Sequence, residues 1–146
     1  MNTTATHSVA GNVFERMSRV LDLKLESEAD AVRAIGKGLS ASAVKRAVNK
    51  LQVDEVLVAP VTTIRRRFKD NARFSVDESE RVVRFVRIYA QACQVFDDPN
   101  AAREWLNTPE NYLGNGEPVT PMALAATDAG ARLIESHLLR TAHGMF

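Results

Sequence analysis

Two groups of residues in this sequence carry the means to do chemistry: a tight run of cations and an apolar end. The run is Thr62-Thr63-Ile64-Arg65-Arg66-Arg67-Phe68-Lys69. Guanidinium groups pair with phosphate oxygens or with guanine edges, and hydroxyls at a helix start also reach phosphates. A short segment, a tight turn and a second short helix that opens with such residues is the pattern of a helix-turn-helix reader, whose second helix lies in the major groove. The same run also suits a solvated basic face, and composition leaves both readings open. The end is His143-Gly144-Met145-Phe146. Most termini trail off in polar residues. An apolar one either tucks onto its own domain or inserts into a partner's cleft. Trp105 and Tyr112 flank a polar loop with Asn111 and Leu113. That loop reads either as a core plug packed back on itself or as an interface anchor.

Other chemistries find no support. Gly36-Lys37-Gly38-Leu39-Ser40-Ala41 is nominally a dinucleotide fingerprint. The stretch before it has helical spacing, whereas such a site needs a strand there. A helix stop and restart accounts for the glycines. His7, His137 and His143 form no metal spacing, and Cys93 is the single cysteine. No nucleophile–base pair, paired carboxylates or phosphate loop stands out. The expectation is a protein that is not an enzyme, with no catalytic residue, cofactor or metal.

The elements that must position these residues are all helical. The chain has 146 residues, 45% hydrophobic and 25% charged, with a net charge of +1. Nucleic-acid binding therefore has to come from a local patch. Neither a signal peptide nor a bilayer-spanning apolar stretch is evident, so no membrane and a cytoplasmic location are expected. Residues 1–7 read as a disordered tail. A first helix starts at Val9 with Val13, Met17, Val20 and Leu21 on one face. A second follows Ser27, with Ala29, Val32 and Ile35 inward, and stops at Gly36-Lys37-Gly38. Ser40 caps a third, with Val44, Val48 and Leu51 inward. Asp54 caps a short segment from Glu55 to Ala59, ended by Pro60, and Thr62 or Thr63 opens the basic helix.

Ser75-Val76-Asp77-Glu78 forms a capping box ahead of a long amphipathic helix. Val82, Val86, Tyr89, Cys93 and Phe96 mark its apolar side, and Arg81, Arg84 and Arg87 its wet side. Asp98-Pro99 and Thr120-Pro121 each pair a cap with Pro at the first helical position. Residues 107–120 form an irregular loop. Thr127 or Asp128 caps the last helix, which turns Ala131, Ile134 and Leu138 inward. A shift in composition divides the chain into residues 8–74 and 75–146.

In this order the blocks resemble the Xre/MbcA/ParS family of antitoxins. The resemblance rests on Ser75-Val-Asp-Glu-Ser-Glu-Arg81, Val95-Phe-Asp-Asp-Pro99, Ala102-Arg-Glu-Trp-Leu-Asn-Thr-Pro109 and Asn111-Tyr-Leu-Gly114, then Pro118. Asp128-Ala-Gly-Ala-Arg-Leu-Ile-Glu135 and the closing His143-Gly-Met-Phe146 complete it. The first half resembles the family's Xre-type helix-turn-helix through Gly38-Leu-Ser-Ala-Ser-Ala-Val44 and Ile64-Arg-Arg-Arg67. Its Leu57-Val-Ala-Pro-Val61 departs from the usual turn.

The resemblance implies an all-α protein: an Xre-like helix-turn-helix bundle and dimerisation region over 8–74, then a small toxin-binding domain over 75–146. It implies a type II antitoxin that blocks the NAD cleft of a RES-type toxin, or of a related ADP-ribosyltransferase-like toxin, with its C-terminal segment. The implied toxin contacts are Trp105, Asn111, Leu113, Arg132, Glu135, Arg140, His143, Gly144, Met145 and Phe146. The implied DNA contacts are Thr62, Thr63, Arg65, Arg66, Arg67 and Lys69, acting on the operator of its own operon. A homodimer within a hetero-oligomeric complex is expected. The alternative is a stand-alone repressor whose second half only dimerises.

Overall fold

A computed structural model describes residues 9–144, with side-chain surroundings from Val13 onward. Its helices are α1 (Val9–Leu21), α2 (Glu28–Lys37), α3 (Ala41–Leu51), α4 (Val61–Asp70), α5 (Val76–Phe96), α6 (Pro99–Leu106), α7 (Pro121–Leu124) and α8 (Asp128–Ala142). A 3-10 turn, Glu55–Leu57, precedes α4. The one extended pairing among the described residues is an isolated antiparallel bridge between Glu110 and Val119 that pinches the loop ahead of α7.

The helix starts follow local side-chain chemistry. Ser27, Ser40, Thr120 and Thr127 each accept the backbone N–H three residues on, and Asp54 and Asp98 the one two residues on. These bonds satisfy amides that the first turn leaves unpaired. At α5 the capping box is complete: Ser75 Oγ accepts from Glu78 N, and Glu78 Oε1 accepts from Ser75 N at 2.8 Å. The basic helix starts differently from the expectation. It begins at Val61, with Pro60 in the cap position and no side-chain cap bond. The Pro60 carbonyl already accepts from Ile64 N at 3.0 Å, so Thr62 and Thr63 lie inside the first turn and do not open it.

The long helix is the hub of the fold. α5 packs against α1, α2 and α3 on one side and α6 and α8 on the other. Ten of its residues are buried, among them Val82, Phe85, Ile88 and Tyr89, which leave no broad wet face. This corrects the amphipathic reading. Arg81, Arg84 and Arg87 bridge to other elements. Arg81 donates to the Val58 carbonyl. Arg84 donates to the carbonyls of Ala125 (3.2 Å) and Ala126 (3.0 Å) and pairs with Glu80. Arg87 pairs with Glu28 at the start of α2. Their apolar stems lie along the helix while the heads satisfy carbonyls and a carboxylate that other elements bring there.

The inward face of α2 also differs from the expectation. Ala31 is buried and Ala34 and Ile35 are partly so, whereas Ala29 is exposed and Val32 is 66% exposed. The helix has ten residues, just under three turns, and its rotation is set by packing against α5 more than by its own few apolar residues. Its end is pinned by backbone. Gly38 adopts φ 85, and a Cβ there would lie 2.5 Å from the Phe74 carbonyl oxygen. Phe74 N donates to Leu39 O (2.9 Å), and Leu39 N donates to the fully buried Ser79 hydroxyl (2.8 Å). The α2–α3 connection is thereby fastened to the α4–α5 connection, which sets the angle at which α4 leaves the bundle.

Candidate functional site

Two surfaces gather the residues that the sequence points to. On the first, α4 buries Ile64 and rests Phe68 against Phe74. Thr62, Arg65, Arg66 and Lys69 are exposed. Their spacing of three, four and seven places them along one stripe about 10 Å long, which matches the width of a DNA major groove, about 12 Å. Thr63 is half-buried beside the stripe. Arg67 is not part of it. Its Nε lies 2.9 Å from Glu78 Oε1, its Nη1 donates to the Arg73 carbonyl at 3.2 Å, and its guanidinium sits over the Phe74 ring. Burial works against the Glu78 carboxylate, but the Ser75 N–H and Arg67 hold its pKa below the ordinary value. Arg67 thus fastens α4 to the start of α5 and leaves the neighbouring cations free to face solvent.

The second surface is made by α6, the 107–120 loop and α8. Four rings run across it: Phe96 tilted against Trp105 (5.6 Å between centroids), then Trp105 to Tyr112 (6.4 Å) and Tyr112 to His137 (5.1 Å) edge to face. They line an open groove of about 690 Å³ with Glu104, Glu110 and Asn111 on its rim. Asn111 Oδ1 also accepts from Gly116 N (3.1 Å), which shapes the loop, and Leu113 is 52% exposed at its tip. Arg140 Nη2 lies 3.1 Å from His137 Nδ1. Burial and the nearby Arg140 charge lower the His137 pKa, so the ring is neutral at pH 7 and Nδ1 is free to accept.

The implied toxin contacts therefore divide. Trp105 and Asn111 line the aromatic groove, Leu113 is exposed on the neighbouring loop, and Arg140 touches the groove's His137. Glu135 and His143 line a different hollow of about 840 Å³ between α1, α5 and α8, with Gln94, Leu138 and Leu139. There Glu135 accepts from Gln91 Nε2 (3.0 Å), and Leu139 is 61% exposed. Cys93 borders this hollow but is buried, which pushes its thiol pKa up and makes it unreactive. Arg132 pairs with Asp128 on the outer face of α8. His143 is the exposed C-cap of α8, and Gly144 follows with φ 69. Met145, Phe146, His7 and the expected tail over residues 1–7 lie outside the described residues. Phe96 and His137 are the ring residues that sequence reasoning did not place at the site. The signal was present for His137, which is three residues before Arg140 and therefore shares its face.

Among the described residues no group of three His, Cys, Asp or Glu side chains is arranged to hold a metal ion. Within the same residues, no helix is long and apolar enough to cross a membrane.

Comparison with known proteins matches both surfaces to one family. Residues 30–87 match the Antitoxin Xre-like helix-turn-helix domain, and residues 91–144 match the Antitoxin Xre/MbcA/ParS C-terminal toxin-binding domain. An Antitoxin Xre of Pseudomonas putida is 28% identical over 133 residues, covering 88% of this chain and 82% of the relative. An Antitoxin Xre of Yersinia enterocolitica is 32% identical over 100 residues, covering 68% of this chain and 66% of the relative. A protein of Sphingobium sp. named Prs ADP-ribosylating antitoxin is 28% identical over 134 residues, covering 82% of each. With a helix-turn-helix domain followed by a toxin-binding domain, in the family's order, the chain belongs to the Xre/MbcA/ParS antitoxins of toxin–antitoxin systems.

Proposed function

We propose that this antitoxin neutralises a RES-type, NAD-degrading toxin by laying the segment after α8 over the toxin's NAD cleft. In this reading residues 75–146 hold the toxin, while residues 8–74 dimerise and use α4 to repress the protein's own operon. The observation that carries the reading is how firmly α8 is aimed. Thr127 caps its start, Gly130 lets it press against the α7 backbone, and Arg84 ties the Ala125 and Ala126 carbonyls that follow α7 to α5. The helix then ends in an exposed His143 and a left-handed Gly144, the backbone state that commonly terminates a helix.

The chemistry of the delivered residues suits a cleft shaped for NAD. Such a cleft offers apolar walls for rings and donors for phosphates. Phe146 fits a ring slot and Met145 adapts to irregular walls. Blocking by occupancy asks no catalysis of this chain. The name of the Sphingobium relative, which joins an antitoxin to ADP-ribosylation, agrees with a partner that works on NAD. The aromatic groove with Trp105 and Asn111, and the exposed Leu113 on the loop beside it, supply docking energy outside the cleft.

The test is co-expression of the toxin with the full chain or with a variant lacking Gly144 to Phe146, reading cellular NAD and growth. The full chain is expected to preserve NAD. The shortened chain is expected to co-purify with the toxin yet fail to preserve it. Full protection by the shortened chain would refute inhibition by this segment.

A further inference from the structure

A further hollow lies apart from the α4 stripe and the aromatic groove, and it shares Arg16 and Arg19 with the 840 Å³ hollow beside α8. Between α1, α3 and α5 lies a hollow of about 530 Å³, a volume within the usual range for small-molecule pockets. Arg16 and Arg19 enter it from α1, and Arg46, Asn49 and Lys50 from α3. Arg103 of α6 stands at one end, its Nη1 3.5 Å from the Lys50 carbonyl. None of these five cations forms an ion pair with a described residue. Arg46 donates only to the Leu21 carbonyl that ends α1 (2.9 Å). Tyr89 also lines the hollow. It is fully buried, and its hydroxyl is without a hydrogen-bond partner.

Each of these features is costly. Gathering like charges raises the energy of the folded state. A buried hydroxyl with no partner forfeits its hydration and gains nothing in exchange. One anion at this place relieves both costs. A carboxylate brings one charge and two oxygens. A phosphate brings more charge and three acceptor oxygens, which suits several guanidinium forks converging from different helices.

We propose that this hollow binds a small phosphate-bearing anion, held by Arg16, Arg19, Arg46 and Lys50, with the Tyr89 hydroxyl as its deepest donor. Burial and the neighbouring Cys93 thiol raise the Tyr89 pKa, and the Arg103 and Arg16 charges oppose them only in part, so the phenol keeps the proton it would donate. The inference does not depend on the toxin or the operator.

Calorimetric titration of the full chain at low ionic strength tests it, with pyrophosphate and ADP as probes and adenosine as the uncharged control. Pyrophosphate and ADP are expected to bind once per chain, and adenosine not at all. The double variant Arg19→Gln/Lys50→Gln changes only exposed side chains, so it should unfold at the parental temperature while binding at least roughly tenfold more weakly. Tyr89→Phe should also weaken binding, whereas Arg65→Ala/Arg66→Ala on α4 should leave it unchanged. The proposal is overturned if neither probe binds up to about 10 mM, or if the α4 variant, and not the Arg19→Gln/Lys50→Gln variant, loses them. It is equally overturned if the Arg19→Gln/Lys50→Gln variant loses operator affinity while pyrophosphate never binds, since the hollow would then be a contact for the DNA backbone.

Discussion

Gly130 offers a sharp test of how α8 is aimed, because its substitution should reverse the usual sign of a glycine-to-alanine change. In a helix, Ala is ordinarily favoured over Gly by about 1 kcal/mol. A Cβ on Gly130 would lie 1.8 Å from the Leu124 carbonyl oxygen and 2.7 Å from its carbon, well inside the 3.0 Å that real Cβ contacts respect. The obstacle is backbone, so no side chain can rotate away. α7 and α8 must separate by roughly 1.2 Å, the difference between the 1.8 Å contact and the 3.0 Å floor. That shift also strains the Arg84 bonds to Ala125 and Ala126. Overpacking typically costs about 1–3 kcal/mol and occasionally more; a 1.8 Å clash with backbone belongs at or beyond the top of that range, which leaves a net loss of about 1–3 kcal/mol once the propensity gain of about 1 kcal/mol is subtracted. Gly36, inside α2, is the control: nothing lies within 4 Å of its Cβ position, so Gly36→Ala should stabilise by about 0.5–1 kcal/mol. In thermal unfolding at one protein concentration, Gly130→Ala should melt about 3–9 °C lower than the parent and Gly36→Ala about 2 °C higher. A Gly130→Ala protein that melts at or above the parental temperature would show that α7 and α8 are not packed through this glycine, and the account of the delivered tail would lose its support.

Further outcomes follow from individual contacts. Arg65→Ala/Arg66→Ala should weaken operator binding and lower the slope of log K against log salt by about 2; an unchanged slope in gel-shift assays across salt concentrations would remove α4 from the DNA. Arg67→Ala should act instead on stability, costing about 1–3 kcal/mol in urea unfolding, because it strands the largely buried Glu78 carboxylate. Ser79→Ala leaves the buried Leu39 N–H without its acceptor and should cost about 1–3 kcal/mol by the same measurement. The His137 pKa lies below its ordinary 6.5 in the folded state, so near that pH the unfolded chain binds more protons and stability falls as pH falls. Its contribution is complete above about pH 6.5 and is lost as pH drops through the folded value; His137→Gln should flatten this part of the stability profile, and an unaltered profile would refute the assignment.

The parts legible along the chain were those whose causes are local. The caps at Ser40, Ser75, Asp98 and Thr127 act over two or three residues, as do the glycine stop at Gly38 and the apolar stripes of α1, α3 and α8. The blocks around Trp105 and Asp128 carry the family likeness in order and spacing, so the two-part architecture and the antitoxin role were readable before any coordinates. Arg81, Arg84 and Arg87 were misread because their partners are carbonyls and a carboxylate 23 to 59 residues away. Arg67 could not be separated from Arg65 and Arg66, since three adjacent arginines differ only in what the rest of the fold sets beside each. The same holds for the ring ladder from Phe96 to His137 and for the cationic hollow over Tyr89, whose members come from three or four helices. Helix formation and capping are settled within a turn of the residue concerned. Whether a charged or aromatic side chain faces water, a carbonyl or a ligand is settled only when distant segments pack.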